Sequence, residues 1–403
     1  MSSLNDTPRS GRIHIVLAGR RNAGKSSLIN SLTGHRTAIV SDVAGTTTDP
    51  VYKSMEIHGL GPCVLVDTAG IDDEGGLGRL RLEKTAEAAD KADIIILVVT
   101  ADSLADGFAV ERRWLETRHD RATPRLIALT KADLLDKAAL EQAMHETRAA
   151  LGEPVPVSSR TGEGRARLVE ALLRLLPADA GGHGITGRLA GAGDVVLLIM
   201  PQDIQAPKGR LILPQVQTLR ELLDKQCVIM SAVADRMDEA LAALSRPPRL
   251  IITDSQVFAS VYAKKPPESR LTSFSVLMAG YKGDLPAFIA GARALDSLGP
   301  DSRVLIAEAC THAPLAEDIG REKIPALLRG KYGAGLHVDV VSGTDFPADL
   351  RPWDLIIHCG GCMFNRAYML SRVRRAREQG VPITNYGVAL AALNGILDRI
   401  DLP

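Results

Sequence analysis

From Ile13 to Leu32 an apolar run, a glycine-bearing turn and a helical pattern follow one another without a break. The turn reads Gly19-Arg20-Arg21-Asn22-Ala23-Gly24-Lys25-Ser26 and fits GxxxxGK[ST] in the strand–loop–helix context that motif needs. Glycines let backbone amides curl around phosphates with no Cβ in the way. Lys25 is placed to neutralise β- and γ-phosphates, and the Ser26 hydroxyl to coordinate Mg2+. A chain that opens this way is expected to build an α/β domain around a mostly parallel sheet.

The rest of the first block agrees. Apolar runs at 63–67, 94–99 and 125–130 read as buried strands with helical patterns between them. Ala180-Gly181-Gly182-His183-Gly184 reads as a linker. A shorter α/β block follows, with strands at 194–200, 227–231 and 249–252 and helices at 214–225 and 235–245, closed by Lys264-Lys265-Pro266-Pro267. A last block alternates again, with strands near 303–308, 336–341 and 354–358 and helices near 285–298, 317–330 and 364–379. The three blocks show no obvious repeat.

Further nucleotide signals come in order. Gly45-Thr46-Thr47-Thr48-Asp49 offers a hydroxyl to Mg2+. Val66-Asp67-Thr68-Ala69-Gly70 ends a strand, with Asp67 set to hold Mg2+ through water and the Gly70 amide to touch the γ-phosphate. Thr130-Lys131-Ala132-Asp133 follows another strand, and its Asp133 can take a bidentate contact from a guanine edge. Val157-Ser158-Ser159-Arg160 adds backbone contacts to the base. Residues 12–177 thus resemble a GTPase of the translation-factor-related class, within it the Era/TrmE-like group. Thr130 stands for the usual asparagine of NKxD, and Ser158-Ser159-Arg160 for SAK. Ile71 stands where Ras-like proteins place a water-orienting glutamine, so transition-state charge needs another source. In relatives an asparagine at the position of Asn22 recruits K+, and the resemblance implies K+-stimulated hydrolysis here. Residues 42–50 and 70–82 are the expected switch loops, ordered by GTP and released on hydrolysis.

A second motif lies near the other end: Cys310-Thr311-His312, a gap of 45 residues, then His358-Cys359-Gly360-Gly361-Cys362. Each part falls at the C-terminal end of an expected strand, where open α/β sheets place their sites. Cys and His donors at CxxC spacing suit zinc or an iron–sulfur cluster. Inert core thiols, a thiol–disulfide couple and structural histidines are the other readings of the same residues. The five cysteines are too few and odd in number for a disulfide framework.

C-x-H, a gap in the mid-forties and H-C-x-x-C behind an Era/TrmE-like GTPase is similar to the FeFe-hydrogenase maturation GTPases, the HydF family. Ala206-Pro207-Lys208-Gly209-Arg210-Leu211-Ile212-Leu213-Pro214-Gln215 is similar to that family's dimerisation region. The resemblance spans essentially the whole chain. It implies a P-loop GTPase domain at 1–178, a dimerisation domain at 179–268 and a cluster-binding domain at 269–403. It implies GTP or GDP at Asn22, Ala23, Gly24, Lys25, Ser26, Ser27, Asp67, Thr130, Lys131, Asp133, Ser158 and Ser159, with Lys25, Thr47 and Gly70 in hydrolysis, Mg2+ on Ser26 and Thr47, and K+ on Asn22. It implies a 4Fe-4S cluster on Cys310, Cys359 and Cys362, with His312 or His358 as fourth ligand or a carboxylate from elsewhere. Arg366 is one cation that could hold anionic ligands of a 2Fe precursor. The implied partners are apo FeFe-hydrogenase, the radical SAM maturases of the same pathway and a second copy of the chain.

The competing reading is an RNA-linked GTPase with a structural zinc. Lys plus Arg and Asp plus Glu both number 48, and aromatic residues are 3% of the chain. A basic excess and base-stacking platforms are therefore both lacking, which counts against nucleic acid. A radical SAM enzyme would need CxxxCxxC, which does not occur. The polar first dozen residues carry no signal-peptide pattern, and no apolar stretch reaches the ~18 residues of a membrane span. A soluble cytoplasmic protein is expected.

Overall fold

The computed structural model describes residues 12–33, 50–57, 60–73, 75–117, 123–176, 184–200, 211–308, 319–343, 345–361 and 364–403. The chain forms two compact units, Met1–Ala180 and Gly181–Pro403.

In the first unit, β1 (Ile13–Ala18), β2 (Val51–Ile57), β3 (Gly61–Asp67), β4 (Ile94–Val99), β5 (Arg125–Leu129) and β6 (Pro154–Pro156) form one sheet in the order β2-β3-β1-β4-β5-β6. Only the β2–β3 pair is antiparallel. All six residues of β4 are buried because helices cover both faces of the sheet. Alternate residues serve opposite faces. Ile94, Ile96 and Val98 join Leu28 and Leu168 in one core, while Ile95, Leu97 and Val99 join Ala89 and Trp114 in the other. β2 was not expected from the sequence. It is an edge strand whose residues 51–56 all keep solvent contact, so it lacks the continuous apolar run of its neighbours.

The second unit holds two sheets. The first comprises β7 (Val195–Ile199), β8 (Val228–Ala232), β9 (Leu250–Thr253) and β10 (Arg270–Ser273), in the order β10-β9-β7-β8. The second comprises β11 (Arg303–Ala307), β12 (His337–Val341), β13 (Leu355–His358) and β14 (Ile383–Asn385), in the order β12-β11-β13-β14. Both are wholly parallel. Numbered from its own first strand, each reads 2-1-3-4, so the middle and last blocks share one topology that their sequences do not advertise. The last strand of each leads into a helix capped in the same way. Ser273 Oγ accepts from Val276 N, and Asn385 Oδ1 accepts from Val388 N. Those helices, Phe274–Lys282 and Tyr386–Leu393, meet closely enough that a Cβ on Gly387 would lie 2.6 Å from Ser275 Cβ.

β10 pairs with β9, so the middle sheet extends past the boundary at residue 268 expected from the sequence. One hydrophobic core runs from Leu197 to Ile400 and serves both sheets. No helix among the described residues is long and apolar enough to cross a membrane.

Candidate nucleotide and metal sites

β1 delivers the chain to the phosphate loop. Gly19 crosses beneath Val98, where an added Cβ would lie 2.2 Å from the carbonyl oxygen, so no side chain fits. Asn22 and Gly24 take left-handed φ of 57° and 92°, and the helix Lys25–Thr33 follows. Lys25 is buried, its Nζ donating to the carbonyls of Gly19 (2.9 Å) and Arg20 (2.8 Å). Burial lowers its pKa against the opposing pull of Asp67, Asp72 and Asp73.

Ser26 Oγ donates to Asp67 Oδ2 at 2.5 Å, while Asp67 Oδ1 is buried with no hydrogen-bond partner among the described residues. An orphaned carboxylate oxygen beside a serine hydroxyl suits a hard divalent cation, so both residues fit Mg2+. The Gly70 loop presses on the phosphate loop. A Cβ on Gly70 would lie 2.5 Å from Arg21 Cγ, and Asp72 Oδ1 accepts the Arg21 amide at 2.7 Å. Thr47 lies outside the described residues.

At the base end, Asp133 accepts from Arg160 Nε at 2.8 Å and pairs with its Nη2 at 2.6 Å. The Ser158 hydroxyl first, then Arg160, holds its carboxyl below the usual range. This keeps Asp133 an acceptor, and the two guanidinium donors have the pattern of a guanine edge. Thr130 does something else than expected. Its buried hydroxyl faces the Ala23 carbonyl (2.6 Å) and the Val99 carbonyl (3.1 Å), tying the base loop to the phosphate loop rather than reaching for a base. Lys131 takes φ 58°, which turns the chain toward Asp133.

Sequence reasoning missed a brace behind the loop. Arg20 donates to Glu111 Oε1 and Oε2, both at 2.8 Å, and to Asp106 at 2.7 and 2.8 Å. Glu111 is fully buried and also accepts from Ser103 Oγ at 3.0 Å. The pair spans 91 positions, so no local signal could reveal it.

In the last sheet β11 and β13 lie side by side, Ala307 opposite His358, and the Cys359 amide donates to the Ala307 carbonyl at 2.9 Å. β12 and β14 flank them on opposite sides, so the gap between β11 and β13 is the topological switch point. The strands that precede the two parts of the Cys and His motif therefore end side by side. Cys310, His312 and Cys362 lie outside the described residues, and among the described ones no three metal donors gather.

His358 does not behave as a candidate fourth ligand. It is fully buried, its Nδ1 bonds the Cys359 carbonyl at 2.7 Å and its Nε2 bonds Arg372 Nη1 at 2.7 Å. A carbonyl only accepts and a guanidinium only donates, so Nδ1 carries the proton and neither nitrogen is left for a metal. Burial, then Arg372, pushes its pKa down to about 3, which keeps the ring neutral. Arg366 is also engaged. Its Nη1 donates to the carbonyls of Gly280, Tyr281 and Gly283 at 3.2, 3.0 and 2.8 Å, closing the end of the helix Phe274–Lys282. Buried Lys282 on that helix donates to the carbonyls of Gly361 (3.2 Å) and Phe364 (3.0 Å), bracing the thiol loop. Cys359 is half-buried, with the Gly361 amide 3.4 Å from its sulfur. Gly361 turns at φ 60°, and a Cβ there would meet Met369 Sδ at 2.5 Å.

The phosphate loop, the Ser26–Asp67 pair and the base loop on one mostly parallel sheet define a P-loop GTPase. A family model described as 50S ribosome-binding GTPase matches residues 14–131. The chain belongs to the hydrogen maturase F family: its dimerization-domain model matches 185–283 and its tetramerization-domain model 286–401, together more than half of the chain. Two curated relatives match the GTPase part. The tRNA modification GTPase MnmE of Ectopseudomonas mendocina is 40% identical over 161 residues, 39% of this chain and 34% of that one. MnmE of Pseudomonas fluorescens strain Pf-5 is 46% identical over 123 residues, 30% of this chain and 26% of that one. The chain thus spans about a third or less of the length of these relatives. Among solved structures, Aquifex aeolicus Era with GDP and aluminium fluoride aligns at 19% identity over 58% of this chain and 98% of that one, TM-score 0.35. The G domain of the T. maritima FeoB iron transporter aligns at 24% over 41% and 99%, TM-score 0.32. The GTPase assignment rests on the site and the family models rather than on these two.

Proposed function

We propose that this chain is a GTP-hydrolysing carrier that holds a 4Fe-4S cluster on Cys310, Cys359 and Cys362 and assembles or delivers the 2Fe subcluster precursor to apo FeFe-hydrogenase, in concert with radical SAM maturases. The observation that supports the reading is the pairing of β11 with β13, whose last paired residues, Ala307 and His358, lie opposite each other. The described residues fit such a group. The Cys359 thiol is half-buried, the Gly361 amide lies 3.4 Å from its sulfur, and buried Lys282 donates to the Gly361 and Phe364 carbonyls. When bound, the cluster would supply an iron whose fourth position can exchange ligands. His358 is left to orient the Cys359 backbone.

In the GTPase unit, Lys25 neutralises phosphate charge, Ser26 and Asp67 hold Mg2+, and the Gly70 amide meets the γ-phosphate. Ile71 is buried in the core and cannot orient water. That supports K+ at Asn22 as the added charge. Hydrolysis should run at least several-fold faster in K+ than in Na+ at equal ionic strength; equal rates would remove K+ from the mechanism.

Oligomerisation follows from the family's domain models. Edge strand β8 exposes Val228, and the helix Leu213–Asp224 exposes Val216 and Leu223, which supports pairing with a second copy through the middle sheet. Iron, sulfide and zinc counts on anaerobically purified protein test the whole reading. About four irons per chain with broad visible absorbance, lost in Cys359→Ser, are expected. A colourless protein with one zinc would favour the RNA-linked alternative.

A further inference from the structure

Arg372, on the helix Arg366–Glu378, is 2% exposed. Its guanidinium donates to His358 Nε2 at 2.7 Å, the Gly343 carbonyl at 2.6 Å and Tyr368 Oη at 3.1 Å. The rings of Tyr368, Phe346 and Phe364 surround it at 4.6, 4.7 and 4.9 Å. Its Nε is buried with no hydrogen-bond partner among the described residues. None of these acceptors or rings carries a full charge, and Arg375, 5.8 Å from the Phe346 ring, adds a like charge nearby. A guanidinium buried so deeply is costly unless an anion stands close. Through the His358 ring its hydrogen bonds lead to the Cys359 backbone.

The contacts form a relay of fixed polarity. Arg372 donates to His358, and His358 donates to the Cys359 carbonyl. Positive charge is thus set in an aromatic shell, joined through the His358 ring to the Cys359 carbonyl. In such a shell charge acts at low effective dielectric.

We propose that Arg372 is a positioning residue for the metal–thiolate group at Cys359, a built-in counter-cation that favours its more negative, reduced state and orients the thiol loop through His358. This rests on the reading above that Cys359 helps hold a 4Fe-4S cluster. Buried charge and hydrogen bonding around the ligands are among the levers that set cluster potentials. Removing a positive charge penalises the reduced form, so the midpoint falls.

The test is an EPR-monitored redox titration of the anaerobically reconstituted full chain as wild type, Arg372→Lys and Arg372→Met, with iron and sulfide counts on each. Arg372→Met is expected to shift the reduction equilibrium about tenfold toward the oxidised form, a midpoint about 59 mV more negative for one electron. Arg372→Lys, which keeps the charge, should stay nearer wild type. Equal midpoints in wild type and Arg372→Met at full iron load would overturn the proposal and leave Arg372 a core cation. Absence of iron in the wild type would instead overturn the cluster reading itself. If Arg372→Met fails to fold, Arg372→Gln retains a donor for His358 without the charge and carries the same measurement. Should both neutral variants fail to fold in cluster-free protein while Arg372→Lys folds, the charge has its partner elsewhere and the proposal also falls.

Discussion

Lys25→Ala is expected to lower single-turnover GTP hydrolysis by about 10^2–10^3-fold, the usual cost of deleting one preorganised charge-stabilising donor. Lys25 meets the conditions for that role. It is buried, it is the first residue of its helix, and its ammonium now rests on two loop carbonyls that a phosphate can replace as partners. Asp67, Asp72 and Asp73 oppose its desolvation and favour the charged form. Lys25→Arg should not rescue, because a planar fork does not fit where a compact ammonium sits. Thermal melting of the nucleotide-free variant controls for folding. Activity above a tenth of wild type in a folded Lys25→Ala protein would show that charge neutralisation comes from elsewhere.

Gly291→Ala should damage the second unit more than an added methyl ordinarily would. The new Cβ would lie 2.0 Å from the Ile383 carbonyl oxygen, 2.5 Å from its carbon and 3.0 Å from its nitrogen. Backbone lies on both sides of the contact, the helix Leu285–Ala292 on one and β14 on the other, so no rotamer can relieve it. Overpacking commonly costs 1–3 kcal/mol; with both partners rigid, about 3–5 kcal/mol is expected, or roughly 10 °C in melting temperature for a unit of this size. The damage should also reach the metal site. β14 pairs with β13 in a register that sets Asn385 opposite His358, so displacing β14 loosens the strand that presents Cys359. A melting temperature within about 2 °C of wild type would mean that the helix slides away freely and that this close approach is not structural.

The strands read most plainly without coordinates are continuous apolar runs buried on both faces. Ile94-Ile95-Ile96-Leu97-Val98-Val99 and Leu355-Ile356-Ile357-His358 have little else they can be. β6, β10 and β14 were missed because their short runs, Pro-Val-Pro, Arg-Leu-Thr-Ser and Ile-Thr-Asn, mix in proline or polar residues and carry no continuous apolar pattern. Of the residues expected at the nucleotide site, Ser26 bonds Asp67 and Asp133 pairs with Arg160, while the Thr130 hydroxyl ties two loops together. Of the metal motif, His358 was legible as a histidine beside a cysteine but not as a saturated one, since Arg372 lies a helix away and its guanidinium enters from outside the motif.

Residue order alone suffices for chemistry that is local in the chain. A loop of defined glycine spacing, an apolar strand ending in Asp-Thr-Ala-Gly and a CxxC carry their ligand preferences wherever they fold. Three things were settled only in three dimensions. They are the equivalence of the two four-stranded sheets, the adjacency of β11 and β13 ends, and the hydrogen bonds between residues distant in sequence, such as Arg20 with Glu111 and Arg372 with His358. Burial makes the difference. Once water is excluded, every donor and charge must find a partner in space, and the nearest one need not be near in sequence.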